Sequence, residues 1–270
     1  MSLRGASADA FAALTTELES VLSSGGASAA TVAGELFSVA TTLRSEGALR
    51  RFATDGSIPA DAKTGLVQQV FDGKVDAGTL TVLRTAVASR WTVARDLADT
   101  LENLSVVAAV RSAGQDGGRL SDELFAFAQV VKANPGLRDA LSDPARSIDD
   151  KSALLHGLLD GKALPATITL AVQSLSGTHR TVGAALNEYQ KIAAEVHGQG
   201  VATVRAAREL SDAERGRLEQ ALSSQYGRPV HLNLVVDPSV LGGIRVEIGD
   251  DVIDGTVSSR LDDARRRLVG

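Results

Sequence analysis

One stretch of this chain is written twice. Glu35-Leu36-Phe37-Ser38-Val39-Ala40 and Glu123-Leu124-Phe125-Ala126-Phe127-Ala128 stand 88 residues apart, and the same offset pairs Leu49-Arg50 with Leu137-Arg138. It also pairs Asp61 with Asp149, Lys63 with Lys151, Leu66 with Leu154, and Asp72-Gly73-Lys74 with Asp160-Gly161-Lys162. After one inserted residue, Arg90-Trp91-Thr92-Val93 faces His179-Arg180-Thr181-Val182. Identities this dense in one frame indicate a duplicated module rather than shared composition. No other feature constrains the fold as much, because both copies must obey one architecture.

That architecture is helical. In the first copy, Leu36, Val39, Ala40 and Leu43 fall at helical spacing between Val32 and Leu43. A short helix over Ala48 to Phe52 meets the break Asp55-Gly56, and Pro59 opens a helix carrying Leu66, Val67, Val70 and Phe71, which stops at Asp72-Gly73. Leu80 to Arg90 and Thr92 to Val110 supply two more. In the second copy, Asn134-Pro135 reads as a cap and a first-turn proline, and Ser147 with Asp150 as a capping box. Gly161 stops that helix, and helices over Thr167 to Leu175 and Val182 to Val196 follow. Gln115-Asp116-Gly117-Gly118 reads as a flexible break between the copies. Helices this short are marginal alone, so each must bury its apolar stripe in a bundle.

Composition fits closely packed helices. Hydrophobic residues make up 44% but aromatics only 3%, so cores are built from Ala, Leu and Val. The absence of cysteine excludes disulfides, thiolate metal sites and a Cys nucleophile. A net charge of −5 argues against a general nucleic-acid binder, which needs a basic face. No apolar run approaches the ~20 residues that span a bilayer. Met1 to Ala10 lack the charged-then-apolar pattern of a secretion signal, so an intracellular protein is expected.

From Val201 the pattern changes. Val201 to Arg205 alternates as a strand, and Ser211-Asp212-Ala213-Glu214 has the form of a capping box for a helix carrying Leu218 and Leu222. Gly227-Arg228-Pro229 ends that helix, and a strand runs from Val230 to Val236 until Asp237-Pro238. Gly242-Gly243 reopens the chain into the alternating strand Ile244 to Ile248. Gly249-Asp250-Asp251 turns it, Val252-Ile253 forms a short second limb, and after Asp254-Gly255 a charged helix is expected from Thr256 to Leu268. The resulting fold class is mainly α with a small α/β C-terminal domain. Tandem helical bundles, residues 1–113 and 114–198, precede a compact β-α-β-β-α unit over 199–270.

This order of strand, Asp-Pro turn, Gly-Gly, strand, tight turn, Asp-Gly and charged helix, from Val235 to Leu268, resembles the C-terminal signature of the delta subunits of F-type ATP synthases. In mitochondria that family is known as the oligomycin-sensitivity-conferring protein. The resemblance implies a non-catalytic stator subunit whose bundle grips N-terminal segments of alpha subunits on the catalytic head. Its C-terminal domain would hold the membrane-anchored b subunits. It further implies a hetero-oligomeric complex, a peripheral position on the cytoplasmic face of the cell membrane, and no cofactor. The doubled bundle departs from the family's single one and resembles the enlarged delta subunits of actinobacterial synthases. A tandem-bundle scaffold of another cytoplasmic complex, or a small enzyme on the α/β tail, are the alternatives.

Candidate sites are accordingly partner surfaces. Phe11, Leu14 and Leu18 would line a groove for a partner helix, or else belong to the core. Arg265, Arg266 and Arg267 would touch the stalk, although Asp262 and Asp263 lie four residues before Arg266 and Arg267 and give the run ion-pair partners on its own helix. His156, His179, His197 and His231 lack the spacing of a metal site, and Trp91 is expected half-buried. Asp149-Asp150 and Asp250-Asp251 fall at a helix start and a turn, and Gly242-Gly243 lacks the spacing of a dinucleotide fingerprint. No catalytic residue and no metal ligand is expected.

Overall fold

A computed structural model describes residues 3–249 and 251–257. The described residues fall into two compact units divided between Tyr189 and Gln190. In the first unit, α1 (Ala6–Ser23), α2 (Ala29–Ser45), α3 (Gly47–Thr54), α4 (Ala60–Phe71), α5 (Ala77–Ala88) and α6 (Ala94–Ser112) follow one another. They lead into α7 (Gly117–Ala133), α8 (Pro135–Ser142), α9 (Ile148–Leu159), α10 (Pro165–Gln173) and the start of α11 (Val182–Val196).

The duplication is visible in the helix boundaries. α2, α3 and α4 begin and end 88 residues before α7, α8 and α9, and α5 begins 88 residues before α10. The punctuation repeats as well. Asp55 Oδ1 accepts from the Ser57 amide at 2.8 Å and Asp143 Oδ1 from the Ala145 amide at 2.9 Å, closing the same turn after the third helix of each copy. Gly73 and Gly161 end the following helix with φ of 69° and 72°, a conformation that favours glycine. Lys63 and Lys151, one per copy, are both buried, and Lys63 Nζ donates to the Ala53 carbonyl at the end of α3.

α6 occupies a double position. Helices start at Ala6, Ala94 and Val182, each 88 residues after the last, so α6 closes the first run of helices and opens the second. Its burial agrees. α1 buries four residues, Ser7, Ala10, Leu14 and Leu18, on one face, whereas α6 buries nearly every position from Leu97 to Val110. A helix buried on nearly every side over this stretch lies inside a core rather than on a surface. α2 packs along α6 from the first copy, and α7 and α10 pack on it from the second.

The expected break at Gln115 to Gly118 falls at the junction between α6 and α7. Gly114–Asp116 form a single 3₁₀ turn, and Gly117 and Gly118 already belong to α7, with Gly117 buried. Gly114, with φ of 55°, supplies the left-handed residue that lets the chain turn from α6 into α7. Asn134 departs from expectation. It stands at the N-cap of α8, but its side chain turns back to donate to the Val130 carbonyl of α7 at 2.8 Å, leaving Pro135 to start α8.

The second unit contains β1 (Gly200–Ala206), α12 (Asp212–Tyr226), β2 (Val230–Val236), β3 (Ile244–Ile248) and β4 (Asp251–Asp254). The sheet order is β2-β1-β3-β4, with β1 and β2 parallel and the other pairs antiparallel. The parallel pair needs a crossover, and α12 provides it. Ala202 and Val204 of β1, Val230 and Leu232 of β2, and Val246 and Ile248 of β3 form the core with Leu222 of α12. Asp237 stops β2 by accepting from the Ser239 amide at 2.9 Å. After β4 the chain returns: the Gly255 amide donates to the Ile244 carbonyl and the Val257 amide to the Gly242 carbonyl, each at 2.9 Å. Of the charged helix expected from Thr256 to Leu268, all but Thr256 and Val257 falls outside the described residues.

Candidate functional site

Leu14 and Leu18 are fully enclosed by the first unit's core, at 0% exposure. The groove wall expected from Phe11, Leu14 and Leu18 therefore shrinks to Phe11, which keeps part of its surface on α1. The stripe faces inward because α5 and α6 pack on it. Arg265, Arg266 and Arg267 lie outside the described residues. Trp91 is half-buried as expected, its indole Nε1 donating to the Ala86 carbonyl at 2.9 Å. His156 faces Asp160 at 3.0 Å, and His179 stands edge-on to Tyr189 with ring centroids 6.0 Å apart. Among the described residues no three His, Asp or Glu side chains are grouped as metal ligands, and no helix is long and apolar enough to cross a membrane.

What the helices do offer is surface and joints. An open groove of about 500 Å³ runs between α2, α3 and the end of α4, lined by Val39, Leu49 and Phe71 with Glu35 and Lys74 among its polar groups. Leu66 and Val70, one helical turn apart on α4, are exposed, and so is Leu158, the counterpart of Val70 on α9. In the second unit a hollow of about 270 Å³ lies between the ends of β1 and β2, walled by Val204, Ala206, Leu210, Leu234 and Val236.

Each copy holds its fifth helix through one glutamate. Glu35 accepts from the Asp76 amide with both oxygens, at 3.1 and 3.0 Å, just before α5. Glu123, its counterpart, accepts from the Leu164 amide at 2.8 Å and the Thr167 hydroxyl at 2.5 Å, just before and within α10. A carboxylate at a helix N-terminus satisfies orphan amides and meets the positive end of the dipole. Burial opposes ionisation of Glu123, but the hydrogen bonds from Thr167 and Leu164 with the Arg119 guanidinium outweigh it and lower its pKa.

The densest polar cluster centres on Glu102 of α6, only 3% exposed. Arg44 of α2 donates through Nη2 to Glu102 Oε2, to Asp99 Oδ1 at 3.2 Å and to the Ala98 carbonyl at 3.3 Å. Arg95 donates to the other oxygen of Asp99 at 3.0 Å. Glu102 also accepts from the Thr178 amide, at 3.1 Å through Oε1 and 2.9 Å through Oε2, the oxygen that takes Arg44. Tyr189 is buried beside it, and burial first, then the Glu102 carboxylate, push the phenol pKa upward. A Cβ at Gly177 would run into Glu102 Oε1, so the carboxylate keeps its place only while this position is glycine. Removing one partner of a buried pair like Arg44 and Glu102 strands the other's charge, at a cost of about 3–5 kcal/mol.

Sequence reasoning missed this cluster, yet the repeat carried a trace of it. Position 102 lies 88 residues after Leu14 and 88 before Gln190, so a charge stands where the first copy places a core leucine. A carboxylate inside an apolar stripe needs a partner.

A family model described as the ATP synthase delta (OSCP) subunit matches residues 106–268, more than half of the chain. The chain belongs to the ATP synthase delta (OSCP) family. The ATP synthase subunit delta of a Nocardioides species is 61% identical over 270 residues, covering 100% of this chain and 98% of the relative. Those of Kineococcus radiotolerans and Streptomyces avermitilis are 41% and 39% identical, covering 98% and 100% of this chain and 98% and 100% of their own lengths. The delta-family match begins inside α6, so it spans the second run of helices and the α/β unit while residues 1–105 lie outside it. The relatives named above align with residues 1–105 as well, since they cover 98–100% of this chain.

Proposed function

We infer that the chain is the peripheral-stalk connector of a proton-translocating F-type ATP synthase, linking the catalytic head to the b subunits. One observation carries the reading: full-length relatives that are ATP synthase delta subunits, on a fold of helical copies followed by a small α/β unit. The chain is a non-catalytic subunit, and it is peripheral to the membrane. Its division of labour is two helical bundles toward the N-terminal segments of alpha subunits and the α/β unit toward the b subunits, on the cytoplasmic face. Phe11 on the first bundle, and Arg265, Arg266 and Arg267 at the far end of the chain, are the side chains proposed to touch these partners.

The physical demand on a stator favours wide contacts. To outlast many turnovers a clamp needs nanomolar affinity, about 12 kcal/mol, beyond any single exposed ion pair at ~1 kcal/mol. The groove beside α2 and the exposed apolar residues of α4 and α9 are contacts of the required kind. The test is a chain ending at Leu234, assembled into the synthase in membrane vesicles. ATP hydrolysis by the head should persist while ATP-driven proton pumping is lost. Pumping retained at the full-length level would refute the connector role of the α/β unit.

A further inference from the structure

We propose that Glu102 is a positioning residue that locks the two helical copies into one stiff body. Both copies tie the loop between their fifth and sixth helices to their first helix, but they do so differently. In the first copy the tie is neutral: the Thr92 amide donates to Ser7 Oγ at 2.8 Å, and Thr92 Oγ1 donates to the Arg4 carbonyl at 3.1 Å. In the second copy the first helix is α6, and the tie is charged: Glu102 takes the Thr178 amide, and Arg95 Nη2 donates to Thr178 Oγ1 at 3.4 Å.

The same carboxylate also takes Arg44 from α2, a helix of the first copy only. One side chain thus holds a helix of copy one and a loop of copy two, with α6 between them. Gly177 and Tyr189 close the pocket around it. A joint of packed apolar helices alone would permit sliding, whereas directional hydrogen bonds to a buried carboxylate fix the register. The consequence for torque rests on the connector reading; the joint itself does not.

Thr178 is exposed, and its amide reports on Glu102. In the full-length chain, Glu102→Ala should speed hydrogen exchange at Thr178 by roughly ten- to a hundredfold, the worth of a hydrogen bond to a charged group. Glu102→Gln should restore part of the protection, because its carbonyl still accepts, while amides of α4 and β1 keep their rates in both variants. Unchanged exchange at Thr178, or equal acceleration throughout the chain, would overturn the proposal. Gly177→Ala provides a second route that leaves α6 untouched: its Cβ displaces the carboxylate, so Thr178 should again lose protection, and no loss would count against the joint. In assembled synthase the Glu102→Ala subunit should pump fewer protons per ATP hydrolysed. A loosened joint with full pumping would overturn its role in transmitting torque, while the Leu234 truncation separately tests the connector reading.

Discussion

Gly243 shows how much a single position can require. Its φ of +79° is open to glycine at no steric cost, and a Cβ there would meet the Gly255 carbonyl oxygen and Thr256 Cα. Neither neighbour is a side chain that can swing away. Gly243→Ala should therefore destabilise the second unit by at least ~2 kcal/mol, combining left-handed strain with overpacking, and urea denaturation followed by circular dichroism would measure it. Gly242-Gly243 was legible as the point where a strand reopens, because the signal sits in adjacent residues. Glu102 was not, because its partners Arg44 and Thr178 lie 58 and 76 residues away and only packing brings them together. Leu14 and Leu18 illustrate the converse. An apolar stripe is legible, but which way it faces depends on the helices that cover it.

Among the elements, α12 has the most complete local design. Ser211 Oγ accepts from the Glu214 amide, the Glu214 carboxylate takes the Ser211 amide at 2.9 Å, and Arg208 adds a guanidinium at 2.7 Å. The Arg208 hydrogen bond first, and the Ser211 amide next, hold the Glu214 pKa at about 2, against an ordinary value of 4.5. A carboxylate depressed by folding contributes stability that is present above its unfolded pKa and lost as pH falls through the folded one. The second unit should accordingly lose stability between pH 4.5 and about 2, and Glu214→Gln should remove part of that dependence in melts compared at pH 6 and pH 3. The Ser211–Glu214 box was readable because its two members lie three residues apart; Ser147 caps α9 through the Asp150 amide, but Asp150 takes the Ser147 hydroxyl in place of its amide, so that box is only half formed. The matched pair Glu35 and Glu123 was visible only as a repeat, its task of holding α5 and α10 being tertiary. Replacing either by Gln should cost about 1 kcal/mol of the first unit's stability, read by the same melts.

For the whole molecule, the order of helices followed by an α/β unit was legible from periodicity, and the duplication from identities in one frame. The manner of joining was not. Gln115 to Gly118 was legible as a break, because glycine and charge usually mark one, but not that a single 3₁₀ turn would lead straight into α7 with Gly117 buried. The two units predict separable folding. A chain ending at Leu234 loses β3, whose Val246 and Ile248 complete the sheet's core, so the second unit should unfold while the first unit's melting temperature moves by less than ~3 °C. Calorimetry would resolve the two transitions.

Helix starts at Ala6, Ala94 and Val182 mean that the copies overlap like roof shingles instead of being strung end to end. Doubling the six-helix pattern took five further helices, not six, and the strip in common is the central one. Growth by overlap puts a shared helix, not a spacer, at the seam. An array enlarged again by this rule would gain 88 residues and place α11 where α6 now stands, so that its exposed positions Ala184, Asn187, Lys191 and Glu195 would each have to be covered.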